Sequence, residues 1–224
     1  MAEVSGRAAR IQSTTTLRIL RPEGLPVSER GDEQLMLDHG DGSEEAFAEL
    51  LRRHQSGILN YIYRMVNNRH IAEELTQDVF MALVKNAHRY EPRAKFTTYL
   101  YTIASNIVSK EWLRRKRRPL LLSLYAGWGR NKSDGEFDPL EHVGDVKADV
   151  LGNFKRIEIS EAVNVALNDL PDHQREAFVL RRFRDLPYEE IAHIVGSPIG
   201  TVKSRVVRAE RALRPLLQHF KEYV

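Results

Sequence analysis

Apolar residues recur at three- and four-residue steps in two blocks separated by a glycine-punctured stretch, and this pattern constrains the chain more than any other feature. In the first block Phe47, Leu50, Leu51, His54, Ile58, Ile62 and Met65 form one stripe, the signature of an amphipathic helix with one face to bury. Ser43 precedes Glu44 and Glu45, a polar cap followed by acids that suit a helix start. After a break at Asn67-Asn68, Ile71, Leu75, Val79, Ala82 and Leu83 mark a second helix, ending near Tyr90-Glu91-Pro92. Phe96, Leu100, Ile103, Ile107 and Leu113 mark a third, expected to stop before Pro119. No strand-type alternation interrupts them, so residues 33–118 are expected to form a small helical domain.

Residues 119–156 keep neither period. Gly127, Gly129, Gly135, Pro139, Gly144 and Gly152 puncture them, and acids outnumber bases. They read as a flexible linker. Helical patterning returns over 157–224. There Ile159, Val163, Ala166, Leu167 and Leu170 form a stripe closed by Pro171, with further helices expected at 174–182, 188–195 and 201–217. The expected fold is therefore all-α: two small helical domains joined by a linker. Residues 1–32 are polar and broken by Pro22, Gly24 and Pro26, as in a flexible tail.

Composition removes several functions. The absence of cysteine excludes disulfides, thiolate zinc sites, iron–sulfur ligation and cysteine nucleophiles. No apolar run approaches the ~20 residues of a membrane span, and the N-terminus lacks the apolar core of a secretion signal. A cytoplasmic protein without membrane insertion is expected. The 34 Lys and Arg nearly balance 31 Asp and Glu, so their distribution matters more than their sum.

That distribution is informative at 186–213. Helix-turn-helix units need a small residue where two helices cross, a turn that often uses Gly, and apolar anchors on both helices. Ala192 supplies the small residue, Ile191 and Val195 the anchors, Gly196 a left-handed helix end, and Ser197-Pro198 the turn. Thr201 can start or cap the next helix. On it Val202, Val206, Ala209 and Leu213 share a face, while Lys203, Ser204, Arg205, Val207, Arg208 and Arg211 point elsewhere. Arg and Lys reach guanine edges or phosphates. A solvated basic face is the bland alternative, but crossing residue, turn and basic helix occur together, which favours DNA binding.

The first domain has two faces of opposite sign. Lys110-Glu111-Trp112-Leu113-Arg114-Arg115-Lys116-Arg117-Arg118 carries six bases against one acid, suited to a nucleic-acid backbone as well as to a helix dipole. Phe96, Thr97, Thr98, Tyr99, Tyr101, Ser105 and Asn106 combine aromatics with hydrogen-bonding groups, as single-stranded DNA recognition requires. Glu73, Glu74, Gln77 and Asp78 form an acidic surface that would repel DNA and suits a basic protein.

Together these segments resemble the extracytoplasmic-function class of the sigma-70 family of bacterial transcription initiation factors. Ala72-Glu73-Glu74-Leu75-Thr76-Gln77-Asp78-Val79-Phe80 is similar to the family's core-polymerase-binding segment. Phe96-Thr97-Thr98-Tyr99-Leu100-Tyr101-Thr102-Ile103-Ala104-Ser105-Asn106 resembles its promoter-melting helix. Leu170-Pro171, Gln174-Arg175-Glu176 and Leu186-Pro187-Tyr188-Glu189-Glu190-Ile191-Ala192 resemble its second conserved domain. Gly200-Thr201-Val202-Lys203-Ser204-Arg205 resembles the start of its −35 recognition helix.

The resemblance implies that Glu73, Glu74, Gln77 and Asp78 meet the polymerase β′ clamp. It implies that Tyr90, Arg93, Lys95, Tyr99 and Asn106 capture an unstacked −10 base, with Lys110, Arg114 and Arg115 on the backbone. Thr201, Lys203, Ser204, Arg205, Val207 and Arg208 would meet the −35 major groove. Implied partners are core RNA polymerase (β′ clamp and β flap), promoter DNA and an anti-sigma factor. The loop Glu91-Pro92-Arg93-Ala94-Lys95 departs from the Arg-Gly common in the family.

Two other classes fit less well. A response regulator needs a strand–helix receiver around an Asp, which the first block lacks. A metal hydrolase could draw on His39, His54, His70, Asp38 and Asp41, but these lack paired helical ligand spacing, and no phosphate loop or nucleophile elbow is present. No enzyme activity, metal or cofactor is expected.

Overall fold

The computed structural model describes residues 25–122 and 162–216. Helices α1 (Asp32–Gly40), α2 (Glu44–Val66), α3 (Arg69–Asn86) and α4 (Phe96–Leu122) form one cluster. A helical segment α5 (162–168), α6 (Asp172–Arg182), α7 (Tyr188–Ile194) and α8 (Ile199–Leu216) form the second. No strand occurs among the described residues. The expected linker lies mostly outside them.

Local chemistry sets the helix boundaries. Ser43 Oγ accepts from the Ala46 amide at 3.2 Å and caps α2. Asn67, at φ +47°, turns the chain out of α2, a left-handed conformation that Asn tolerates better than most residues. Asn68 Oδ1 then accepts from the Ile71 amide at 3.0 Å and starts α3. Gly196, at φ +58°, ends α7 in the left-handed turn expected of it.

The predicted stripe of α2 is the core: Leu50, Ile58, Ile62 and Met65 are fully buried against Leu83 of α3 and Leu100, Ala104 and Val108 of α4. The carbonyls at the C-terminus of α2 are met from outside the helix. Met65 O accepts from Trp112 Nε1 at 3.4 Å and Val66 O from Arg115 at 2.8 Å. In the second cluster Val202, Val206, Ala209 and Leu213 of α8 pack against Leu167, Val179, Leu180 and Ile191.

Several expectations need correction. The first domain holds four helices, not three: α1 buries Leu35 and Met36, two residues too close in sequence to show a period. The C-terminal part of the expected tail is ordered. Residues Val27–Glu29 form a 3-10 turn, and Arg53 fixes it by donating to Ser28 O at 2.8 Å, Arg30 O at 2.8 Å and Asp32 at 2.7 Å. Residues 1–24 lie outside the described part. Helix α4 continues past Pro119 to Leu122, although proline has no N–H to donate to the carbonyl four residues back. Helix α8 starts at Ile199, so Thr201 sits in its first turn, its amide bonded to Pro198 O at 2.9 Å.

The clusters also touch, which the pattern did not foretell: α2 packs on α6 and α4 on α7.

The docking of α1 has a direct test. A Cβ at Gly40 would stand 2.9 Å from the backbone oxygen of Ala87. Gly40→Ala should therefore cost about 1–3 kcal/mol through overpacking, read as a lower urea midpoint. An unchanged midpoint would show that α1 is not held there.

Candidate nucleic-acid and polymerase interfaces

Helix α8 divides cleanly. Its Val202, Val206 and Ala209 are fully buried, while Thr201, Lys203, Ser204, Val207 and Arg208 are exposed. Arg205 is half-buried and donates to Ser197 Oγ in the turn at 3.1 Å. Lys203 Nζ lies 5.6 Å from the centre of the Tyr188 ring, and Ser204 donates to Gly200 O at 2.7 Å. The outer face thus offers cations to phosphates and guanine, with Val207, half exposed, available to a thymine methyl.

On α4, Tyr99, Asn106, Lys110 and Arg114 follow one another at helical spacings along one face. At the head of that face lies a cavity of about 350 Å³ lined by Asn86, Arg89, Tyr90, Glu91, Arg93 and Tyr99. The Tyr90 and Tyr99 rings are 5.2 Å apart. Burial, then the nearby Glu33, pushes the Tyr90 phenol well up, so it stays protonated. Its hydroxyl is buried without a hydrogen-bond partner. Arg93 pairs with Glu91 at 2.7 Å. The Asn86 amide donates to Ala82 O at 2.7 Å, leaving its oxygen as an acceptor.

Of the residues expected at a −10 base, the cavity gathers Tyr90, Arg93 and Tyr99. Asn106 and Lys110 are exposed about two and three turns further along α4 and do not line it. Lys95 is exposed but bonded to Glu190 at 2.6 Å. Arg114 and Arg115 are both engaged by Glu111, at 2.5 and 2.9 Å. Burial opposes ionisation of Glu111, yet these two guanidinium bonds hold its carboxyl below the usual range. Its second bond, to Val66 O at 2.8 Å, ties Arg115 to the end of α2, more a brace than a free cation. Asn86 and Arg89 were missed because they precede the loop; their place at the end of α3, just before Tyr90, was the available signal.

The acidic face of α3 is as expected, with Glu74, Gln77 and Asp78 exposed. Glu73 is partly covered and pairs with Arg69 at 2.8 Å, and His70 approaches Glu74 at 3.3 Å. Met81 was missed: it is 54% exposed one turn beyond Gln77 and Asp78, giving the acidic face an apolar end. His39 stacks on Phe47, His54 bonds Asp32 at 2.8 Å, His70 is exposed, and no metal-binding group occurs among the described residues.

Two helical units, one ending in a helix-turn-helix with a basic outer face, define a DNA-binding transcription factor. The family profile of Sigma-70 region 2 matches residues 50–118 and that of Sigma-70 region 4 matches residues 160–213. The sigma-H factor of Pseudomonas aeruginosa is 32% identical over 86% of this chain and 98% of its own length. The extracytoplasmic-function factor SigW of Bacillus subtilis is 29% identical over 79% of this chain and 91% of its own. Among solved structures, RpoE of Bartonella quintana in complex with the anti-sigma factor NepR is 25% identical, with a TM-score of 0.59 over 78% of this chain and 98% of its own. CnrH, in complex with the cytosolic domain of CnrY, shares the fold at 19% identity and a TM-score of 0.56, over 84% of this chain and 97% of its own. The chain belongs to the sigma-70 family, in its extracytoplasmic-function class. Sigma factors are transcription initiation factors rather than catalysts. No helix among the described residues is long and apolar enough to cross a membrane.

The buried hydroxyl of Tyr90 gives a stability test. An unsatisfied buried donor costs about 1–3 kcal/mol, so Tyr90→Phe should leave the melting temperature unchanged or raise it. A marked fall would mean that the hydroxyl has a partner.

Proposed function

We propose that this protein directs core RNA polymerase to promoters by reading −35 DNA with α8 and capturing and melting −10 DNA with α4 and its cavity. The observation that carries this is the division of α8: one face buried under the helix-turn-helix, the other presenting Lys203, Ser204, Val207 and Arg208. Thr201 and Arg205 flank the groove face. Tyr90, Arg93 and Tyr99, with Asn86 and Arg89, receive the extruded base against the aromatic wall of the cavity. Asn106 and Lys110 follow the unpaired strand down α4, and Lys95, once released from Glu190, joins them. Arg114 lies at the phosphate end of this track, where Arg115 keeps the helix in place.

Glu73, Glu74, Gln77 and Asp78 meet the basic β′ clamp, with Met81 as the apolar anchor of an otherwise charged contact. The second domain meets the β flap. The complex of RpoE with the anti-sigma factor NepR supports an anti-sigma factor as a further partner. In this reading the protein is cytoplasmic, uses no cofactor and catalyses nothing itself.

The first experiment is transcription in vitro with bacterial core polymerase on a fragmented genomic library. New starts sharing spaced −35 and −10 elements are expected. Their absence, with core failing to bind the protein, would leave a conventional helix-turn-helix regulator. Loss of a groove contact typically costs about 1–3 kcal/mol, so Arg208→Ala should lower −35-dependent initiation roughly ten- to a hundredfold while leaving core binding intact. Unchanged activity would remove Arg208 from the groove. Glu74→Lys with Asp78→Lys should abolish core association in a pull-down, and intact binding would overturn the clamp contact.

A further inference from the structure

A strand that lodges one base in a cavity continues in two directions, so its phosphates need partners on both sides of that cavity. Helix α4 serves one side. Lys110 and Arg114 follow Tyr99 by about three and four turns, about 17 and 23 Å along the helix. Another part of the cavity wall, Asn86 and Arg89, belongs to the end of α3 and to the 3-10 turn Ala87–Arg89. Helices α3 and α4 pack side by side and run in opposite directions, with Glu74 near Arg114 at one end and the cavity joining Asn86 to Tyr99 at the other.

Helix α3 changes sign along its length. Its acids Glu73, Glu74 and Asp78 all precede Val79, and no acid follows between Val79 and Tyr90, where Lys85, His88 and Arg89 stand. All three are exposed, and no ion pair engages them among the described residues. A cation in the last turn of α3 suits the helix dipole, which explains Lys85 alone. His88 and Arg89 stand beyond α3 on the separate turn.

That turn is a fixed platform. Ala87 is buried, α1 packs on the turn, and Gly40 lets the backbones meet there without a Cβ between them. The Tyr90 amide closes the turn on Ala87 O at 3.1 Å. With Ala87 seated inward, its neighbours His88 and Arg89 face solvent. The cavity is thus flanked by cations on two sides, one set running down α4 and the other on the end of α3.

We propose that Lys85, His88 and Arg89 form a second backbone-binding path, which carries the unpaired DNA strand away from the cavity on the side that α4 does not serve. The proposal rests on the cavity's role as the receiver of an extruded base. Lys85 neutralises a phosphate, His88 offers a ring N–H to the sugar–phosphate chain, and Arg89 links the path to the cavity rim. Backbone contacts carry no sequence information, so the path strengthens opening whatever bases flank the captured one.

The test uses core polymerase loaded with the protein, and single-stranded DNA probes carrying the −10 sequence that transcription of the genomic library defines. One probe runs about five nucleotides beyond the captured base on its 5′ side, one on its 3′ side and one on both. The parent should bind the doubly extended probe several-fold more tightly than either of the others. Lys85→Ala with His88→Ala changes two exposed side chains outside the cavity lining. It should weaken the doubly extended probe and one singly extended probe, leaving the other unchanged. The loss should be about fivefold at 0.1 M salt, with the salt slope reduced by about 0.7, the counterion release of one single-strand phosphate contact. Lys110→Ala should weaken the opposite singly extended probe. Equal loss on both singly extended probes, or no loss on any probe, would overturn the path. Loss of core association by the double variant in a pull-down would assign these cations to an acidic protein surface and overturn it as well. A parent that binds core polymerase but none of the three probes would overturn the cavity's role, and the path with it.

Discussion

One long helix has to satisfy three neighbours at once, and most of the architecture follows from that constraint. Helix α4 gives Leu100, Ala104 and Val108 to the core beneath α2 and α3. It gives Thr98, Tyr101 and Ser105 to the second domain. Tyr99, Asn106 and Lys110 lie on its outer side, the last two exposed. A helix that serves one core concentrates its apolar residues on one side; α4 spreads hydroxyls and aromatics around its circumference because each side meets a different chemistry. Its position is fixed from elsewhere, by Glu33 of α1, which accepts from the Phe96 amide at 2.7 Å. The C-terminus of α2 adds a second anchor through Trp112 and Arg115. The head of the α4 face is therefore set by residues that lie outside that face.

Charge is used in two ways across the molecule. Cations that face solvent without an ion pair among the described residues, such as Lys110, Lys203 and Arg208, are free to neutralise phosphates and release counterions. Others are spent internally. Arg53 closes the N-terminal turn onto α2, Arg115 finishes α2, and Arg175 finishes α5 while crossing to the other domain. A run of bases in sequence says nothing about this partition. It depends on which carbonyls and carboxylates lie within reach after folding.

Helix positions were largely legible beforehand because α2, α3 and α8 each show a 3.6-residue stripe, and Ser43, Asn67, Asn68 and Gly196 mark helix ends with residues whose capping chemistry is local. Helix α1 escaped because nine residues with two buried apolar side chains are too short to show a period. Its stability comes from contacts 20 or more positions away, through Arg53 and His54 to Asp32. The cavity was half legible: the aromatic loop was visible, whereas Asn86 and Arg89 join it only because the 3-10 turn after α3 folds them back.

Helical class, the division into two units, the helix-turn-helix and the acidic face of α3 were determined by sequence alone, since periodicity, caps and residue type act over a few neighbouring positions. Tertiary structure decided which charges stay available, which loop side chains share a cavity, and that Glu176 and Glu190 reach across to the first domain. Those outcomes depend on partners separated by 71 to 115 positions. Such pairs carry no local signature, because a buried carboxylate and an exposed one are the same letter until packing chooses between them.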